Sequence, residues 1–226
     1  MLKKFLRFTI KLAIWFFVLT VGWVILYKFI PVPYTPLMAI RSMDSGTPEK
    51  IEHQWIPIKE ISPHLQLAVI CAEDQKFEYH NGFDREAIKK VIDSNRRENK
   101  KLRGASTISQ QTAKNVFLWP KRSWIRKGFE TYFTFLIEFF WSKERILEVY
   151  LNSIEMGNGV FGAQAASKHW FDKQANQLTS ENAAAIAAIL PNPRIYKAHP
   201  PTPYISGRIQ WISGQMKNYG PFSLSK

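Results

Sequence analysis

Two adjacent carboxylates, Glu73 and Asp74, close a stretch that is otherwise apolar: Leu65, Leu67, Ala68, Val69, Ile70, Cys71 and Ala72 precede them. Read as a helix buried nearly all round, that stretch places both acids near its C-terminal end. There they face the negative end of the helix dipole, each other and a dry surrounding. Each influence raises a carboxylate pKa, which suits a general base or acid near neutral pH. A surface pair neutralised by Lys76 or Arg85 is the plainer alternative. Glu130 is a second such residue. It lies among Phe129, Tyr132, Phe133, Phe135, Phe139, Phe140 and Trp141, with Arg126 and Lys127 within one helical turn. A carboxylate among aromatics is costly unless paired, so those cations are its expected partners.

Between the two acids runs Gly104-Ala105-Ser106-Thr107-Ile108-Ser109-Gln110-Gln111-Thr112-Ala113-Lys114-Asn115. A glycine and hydroxyls leading into a helix fit an anion-binding N-terminus as well as an ordinary capped polar helix. Gln110 and Lys114, spaced i, i+4, share one face. The stretch is not a Walker loop, because Gly-x-x-x-x-Gly-Lys is absent.

Taken in order, these segments resemble one family. Glu73-Asp74-Gln75-Lys76-Phe77-Glu78-Tyr79-His80-Asn81-Gly82 is similar to the E-D-x-x-F-x-x-H-x-G motif of peptidoglycan glycosyltransferases. Gly104 to Asn115 resembles their G-x-S-T-I-x-Q-Q-x-x-K-N motif, and Arg126-Lys127-Gly128-Phe129-Glu130 their R-K-x-x-E. Lys143 to Asn152 resembles the helix that carries I-L-E-x-Y-L-N. The chain departs from the pattern at Asn81, where Asp is frequent, and at His169-Trp170-Phe171, where many relatives have a Tyr-Phe pair. Because no transpeptidase segment follows, the resemblance is to the monofunctional branch rather than to bifunctional penicillin-binding proteins.

The resemblance implies a mainly α, lysozyme-like glycosyltransferase domain that polymerises lipid II into β-1,4-linked glycan and releases undecaprenyl pyrophosphate by inverting transfer. It implies Glu73 as general base, with Lys114 and Arg122 stabilising the leaving pyrophosphate. Asp74, Ser106, Gln110, Gln111, Arg126 and Lys127 would bind substrate. Glu130 would be the second catalytic carboxylate, orienting cations rather than attacking the sugar. No cofactor is obligatory in this reading, although a divalent cation, Mg or Mn, has a place at the pyrophosphate. The partners implied are lipid II, the growing strand, membrane lipids and other cell-wall synthesis proteins, with no nucleic acid. A lytic enzyme of the same polymer and a non-catalytic module binding polyanions are the rivals.

The elements that must position these residues begin with an anchor. Leu12 to Tyr27 carries no charge, Lys11 and Lys28 flank it, and Pro31 and Pro33 stop it. Lysines snorkelling outward extend the span to bilayer thickness. Lys3, Lys4, Arg7 and Lys11 before it, with Asp44 and Glu49 after it, put the N-terminus in the cytoplasm. With the family, this places a single-pass protein in a bacterial inner membrane and its catalytic domain in the periplasm. A cleaved signal would need small residues after the apolar run, and Lys28-Phe29-Ile30-Pro31-Val32-Pro33 has none. The resulting organisation is a basic tail (1–11), a transmembrane helix (12–30), a linker rich in proline (31–61) and the catalytic domain (62–226).

Within that domain the signals are helical. Ser62 with Pro63 opens a helix expected to reach Phe77, and others are expected over Arg85 to Arg97, Ser106 or Thr107 to Val116, and Trp124 to Trp141. Further helices are expected over Lys143 to Leu151, Ala163 to Trp170 and Glu181 to Leu190, with a loop at Gly157, Gly159 and Gly162. Cys71 is the only cysteine, so no intrachain disulfide forms, and the five histidines lack metal-ligand spacing. Residues 85–127 hold thirteen Lys/Arg and three Asp/Glu, +10 of the net +13. That density calls for an anionic partner or a solvated basic face, and residues 85–103 are candidates to touch lipid headgroups.

Overall fold

The computed structural model describes residues 1–44, 46, 50–89, 93, 106–220, 222 and 224. A long helix α1 (Leu2–Phe29) leads into α2 (Pro36–Ser42), a two-residue strand β1 (Glu52–His53) and a 3-10 turn (Ile58–Glu60). The domain continues through α3 (Pro63–Glu73), α4 (Ile108–Phe117), α5 (Trp124–Phe140) and α6 (Lys143–Ser153). A hairpin of β2 (Glu155–Gly157) and β3 (Val160–Phe161) follows. Then come α7 (Ala163–Phe171), α8 (Ser180–Ile189) and α9 (Pro203–Tyr219). The mainly α expectation holds.

Local chemistry explains most of the boundaries. Ser62, Thr107, Ser123, Ser142, Thr179 and Thr202 each accept a backbone N–H of the helix they precede, and Pro63 and Pro203 occupy first-turn positions. The core is a three-helix stack in which α8 packs against both α3 and α9. Ala183, Ala184, Ala185, Ala187 and Ala188 are all buried, and their small side chains let the two neighbouring backbones come close. Cys71 is buried on α3, and desolvation pushes its thiol up to about 11, so it serves as packing.

Several expectations are revised. The helix expected to reach Phe77 ends at Glu73, because Asp74 leaves helical geometry (φ −161°, ψ 75°) and its carboxylate is drawn to other partners. α1 begins at Leu2, so the basic tail is its first turns. Among the described residues of the proline-rich stretch, Thr35 caps α2, and Val32, Met38, Ile56, Ile58 and Ile61 are buried. The glycine loop is a hairpin in a sheet of order β1-β3-β2, with β1 parallel and β2 antiparallel to β3. Residues 85–89 are helical; apart from the helical residue 93, the rest of the helix expected there, with most of the 85–103 basic stretch, Gly104 and Ala105, lies outside the described residues.

The end of α1 is docked on the domain. Phe16 lies against Phe129 and Tyr132, Thr20 shares a 2.7 Å hydrogen bond with the Tyr132 hydroxyl, and Trp23 meets Phe117 and Phe133 edge-on. Trp141 Nε1 donates to the Val24 carbonyl at 2.8 Å, and the Arg145 guanidinium donates to the carbonyls of Tyr27 and Ile30. Those carbonyls are the ones a helix C-terminus leaves without partners, and a cation suits them.

Candidate active site

α4 is the wall on which the site is built. Thr107 caps it in a reciprocal box: its hydroxyl accepts the Gln110 N–H, and Gln110 Oε1 accepts the Thr107 N–H at 3.1 Å. Gln110 therefore holds the helix start while still facing the site. Thr107 also donates to the Gly82 carbonyl at 2.7 Å, tying the 74–82 loop to the same point.

Asp74 is the other tie. It is buried, its Oδ2 accepts the Ile108 N–H at 3.0 Å, and His80 Nε2 bonds the carboxylate at 2.8 Å. Lys143 Nζ donates to the His80 carbonyl and, at 2.8 Å, to Glu138, and lies 4.6 Å from the Phe77 ring centre; Glu138 also accepts from the Ser109 hydroxyl. Gly82 (φ +81°) packs so closely on this group that a Cβ there would meet Thr134 Cγ2 at 2.7 Å. Asp74 thus faces inward and fixes the loop after Glu73.

Eight of the residues singled out in the sequence line one cavity of about 360 Å³: Ser106, Gln110, Gln111, Lys114, Arg122, Arg126, Lys127 and Glu130, with Pro120. Lys114 also faces a smaller cavity of about 200 Å³ whose lining includes Leu37 and Arg41 of α2. Glu130 is 4% exposed; Arg126 Nη1 reaches its Oε2 at 2.8 Å and Lys127 Nζ its Oε1. The i, i+3 and i, i+4 spacing of one helix makes this triad. Both Glu130 oxygens are thereby engaged, whereas Arg126 Nε is buried without a hydrogen-bond partner among the described residues.

Glu73 stands beyond the cavity wall and joins it through Gln111, whose Nε2 donates to Glu73 Oε2 at 2.8 Å. Burial raises the Glu73 pKa above the usual carboxylate range and Asp74 adds to this, against the Gln111 bond and the charges of Arg208 and Lys114. Burial lowers the Lys114 pKa, as do Arg126 and Arg122, while Glu130 and Glu73 oppose the change. The arrangement is a partly desolvated carboxylate beside a pocket of four cations, chemistry suited to moving a proton on one side and neutralising an anion on the other.

Residues 40–217 match the Transglycosylase family. The chain belongs to the transglycosylase family. A biosynthetic peptidoglycan transglycosylase of Bacteroides thetaiotaomicron is 55% identical over 214 residues, covering 93% of this chain and 86% of that protein. Proteins of the same description from Shewanella oneidensis and Pseudomonas syringae pv. syringae are each 48% identical, covering 99% and 97% of this chain and 96% and 94% of their own lengths. The helical domain described above is accordingly the lysozyme-like transglycosylase fold, and the chain is an enzyme.

Three residues around the candidate site were not singled out from the sequence as functional. Tyr150, in the I-L-E-x-Y-L-N helix, donates its hydroxyl to Gln111 Oε1 at 3.3 Å. Lys143 opens that same helix, and its Nζ donates to the His80 carbonyl. Arg208 on α9, whose Nε donates to the Ala188 carbonyl at 3.0 Å, brings positive charge to Glu73 from a helix that carries no motif.

Proposed function

We propose that this transglycosylase polymerises lipid II into the β-1,4 glycan strand of peptidoglycan. The observation that carries the reading is the grouping of four cations in one cavity of about 360 Å³ with a desolvated carboxylate just beyond its wall. In the proposed reaction Glu73 takes the proton of the acceptor sugar's 4-hydroxyl. That oxygen forms a bond to the donor's anomeric carbon from the face opposite the phosphate, and the carbon–phosphate oxygen bond breaks with its electron pair. The undecaprenyl pyrophosphate leaves with that charge, met by Lys114 and Arg122 and by Arg126 and Lys127. Ser106, Gln110 and Gln111 orient the donor, Asp74 fixes the loop that carries Glu73, and Glu130 holds Arg126 and Lys127 in place.

Hydrolysis of preformed glycan, the rival enzyme reading, releases no pyrophosphate and gives such a cation group no task. The donor set does not fit a divalent ion: the one cavity carboxylate has both oxygens on cations, and among the described residues no three His, Cys, Asp or Glu are grouped to hold a metal.

In the same reading α1 is a single-pass anchor of a bacterial inner membrane, N-terminus in the cytoplasm and domain in the periplasm. Its support is an apolar stretch within Lys3–Phe29 that is largely exposed. Membrane attachment keeps enzyme and lipid-linked substrates together, with lipid II, the strand and neighbouring lipids as partners and other cell-wall synthesis proteins within reach. The test is incubation of the purified protein in detergent with labelled lipid II, beside Glu73→Gln. Muramidase-sensitive polymer from the wild type alone is expected; release of fragments from preformed glycan, with no polymer, would overturn the reading in favour of the lytic one.

A further inference from the structure

We infer that Gln111 and Tyr150 are positioning residues that select which oxygen of Glu73 acts and keep that carboxylate ionised, Tyr150 working through the Gln111 amide. The inference rests on the reading of Glu73 as the base. Gln111 bridges three helices: from α4 its Nε2 donates to Glu73 Oε2 on α3 at 2.8 Å, and its Oε1 accepts the Tyr150 hydroxyl of α6 at 3.3 Å.

The two ends of an amide are chemically opposite. An NH2 end favours a carboxylate, and a carbonyl end favours a protonated acid. Which end meets Glu73 is therefore decided by what the other end meets. Tyr150 is fully buried, and among the described residues its hydroxyl has no acceptor but Gln111. Turning the amide over would set a carbonyl against the carboxylate and leave the buried phenol proton without a partner, a doubly unfavourable state. Burial also drives the phenol's pKa far up, so Tyr150 remains a donor over the whole working range.

The remaining charges facing Glu73 are Lys114 from α4, Arg208 from α9 and Asp74 beside it in the chain. Packed on the same helix, α8 buries only alanines and isoleucines. None of these neighbours bonds Glu73 Oε1, which has no partner among the described residues. Gln111 thus occupies Oε2 and leaves Oε1 as the oxygen that receives the hydroxyl proton.

The test is the pH dependence of kcat/KM for labelled lipid II, measured on the full chain in detergent for wild type, Tyr150→Phe, Gln111→Leu and the double variant. Tyr150→Phe should move the acid limb upward by about half to one pH unit, a loss of roughly three- to tenfold on that limb, and Gln111→Leu should move it at least as far. In the Gln111→Leu background the tyrosine change should add nothing. An unmoved or downward limb in Tyr150→Phe, or the same shift in both backgrounds, overturns the inference. If Tyr150→Phe does not fold, Gln111→Leu decides alone, an unmoved limb refuting it. Glu73→Gln separates the two levels: retained turnover there overturns the base itself, whereas an inactive Glu73→Gln with an unmoved Tyr150→Phe limb overturns only the role of the amide.

Discussion

Replacing Glu130 with glutamine removes one charge from the centre of the cation pocket and almost no volume. In the wild type the carboxylate is 4% exposed and engages Arg126, itself 8% exposed, and Lys127, whose side chain is 43% exposed. Breaking a buried pair by removing one partner costs about 3–5 kcal/mol, because the other charge is left uncompensated. The exposed Lys127 partner adds about 0–1 kcal/mol. A glutamine oxygen still accepts one hydrogen bond, which returns about 1 kcal/mol, so the net loss is about 3 kcal/mol. For a chain of this size each kcal/mol moves Tm by about 2–4 °C, so the fall should be about 6–12 °C. Thermal unfolding followed by near-ultraviolet circular dichroism in detergent measures it.

The structure adds a second requirement. Without Glu130, Lys114, Arg122, Arg126 and Lys127 line the cavity with no anion among them. Inorganic pyrophosphate should then take over the missing negative charge. At about 100 times its dissociation constant a ligand stabilises by about 2.7 kcal/mol, enough to return most of the loss. Pyrophosphate should accordingly raise Tm more in Glu130→Gln than in the wild type. A Tm change below about 2 °C, or equal responses of the two proteins to pyrophosphate, would refute the idea that Glu130 is the counter-charge of this pocket.

Two further outcomes follow from the loop and the base. Burial raises the Glu73 pKa, so the folded protein holds that proton to higher pH than the unfolded chain, and stability falls as pH rises from the ordinary value of 4.5 through the folded one. Glu73→Gln carries no such penalty and should unfold at a higher temperature than the wild type at pH 7.5, with the difference vanishing near pH 4; a lower Tm at pH 7.5 would contradict the desolvation argument. Gly82→Ala should cost about 2–4 kcal/mol through left-handed strain and collision with Thr134 and Glu138, read from urea unfolding, and should also slow polymerisation; a variant as stable as wild type would show that the loop is not held there.

How much of this was legible follows from range. Helix starts were readable because a cap lies within three residues of what it caps, as at Ser62 with Pro63 and at Thr107. The same signature, Thr202 with Pro203, opens α9, but Gly207 and Gly214 weaken its helical propensity and no helix was assigned. The strands have two or three residues each, too few to show alternation. α2 was hidden among prolines, one of which is its own first residue. In the site, the pairing of Glu130 with Arg126 and Lys127 was readable from spacing on one helix. Nothing local could announce the meeting of Gln111 with Glu73 across 38 positions, of Tyr150 with Gln111 across 39, or of Arg208 with Glu73 from a helix that had not been assigned.

The docking of α1 sets a depth. Among the described residues the ring contacts of α1 with the domain begin at Phe16, and the part of the helix before them, Leu2 to Trp15, is about 21 Å long at 1.5 Å per residue. The hydrocarbon layer in the proposed membrane setting is about 30 Å thick. The free part of the helix is too short to cross it, and the uncharged run from Leu12 to Tyr27 lies mostly in the docked part. In that setting the shortfall of about 9 Å would be met where α1 lies against the domain, along the flank that α5 presents beside it. Trp124, Ile125, Phe135 and Phe139 on that helix are 92%, 71%, 63% and 71% exposed. The protein would then sit like a hull with a fixed draught, its waterline drawn along α5 rather than at the end of a tether.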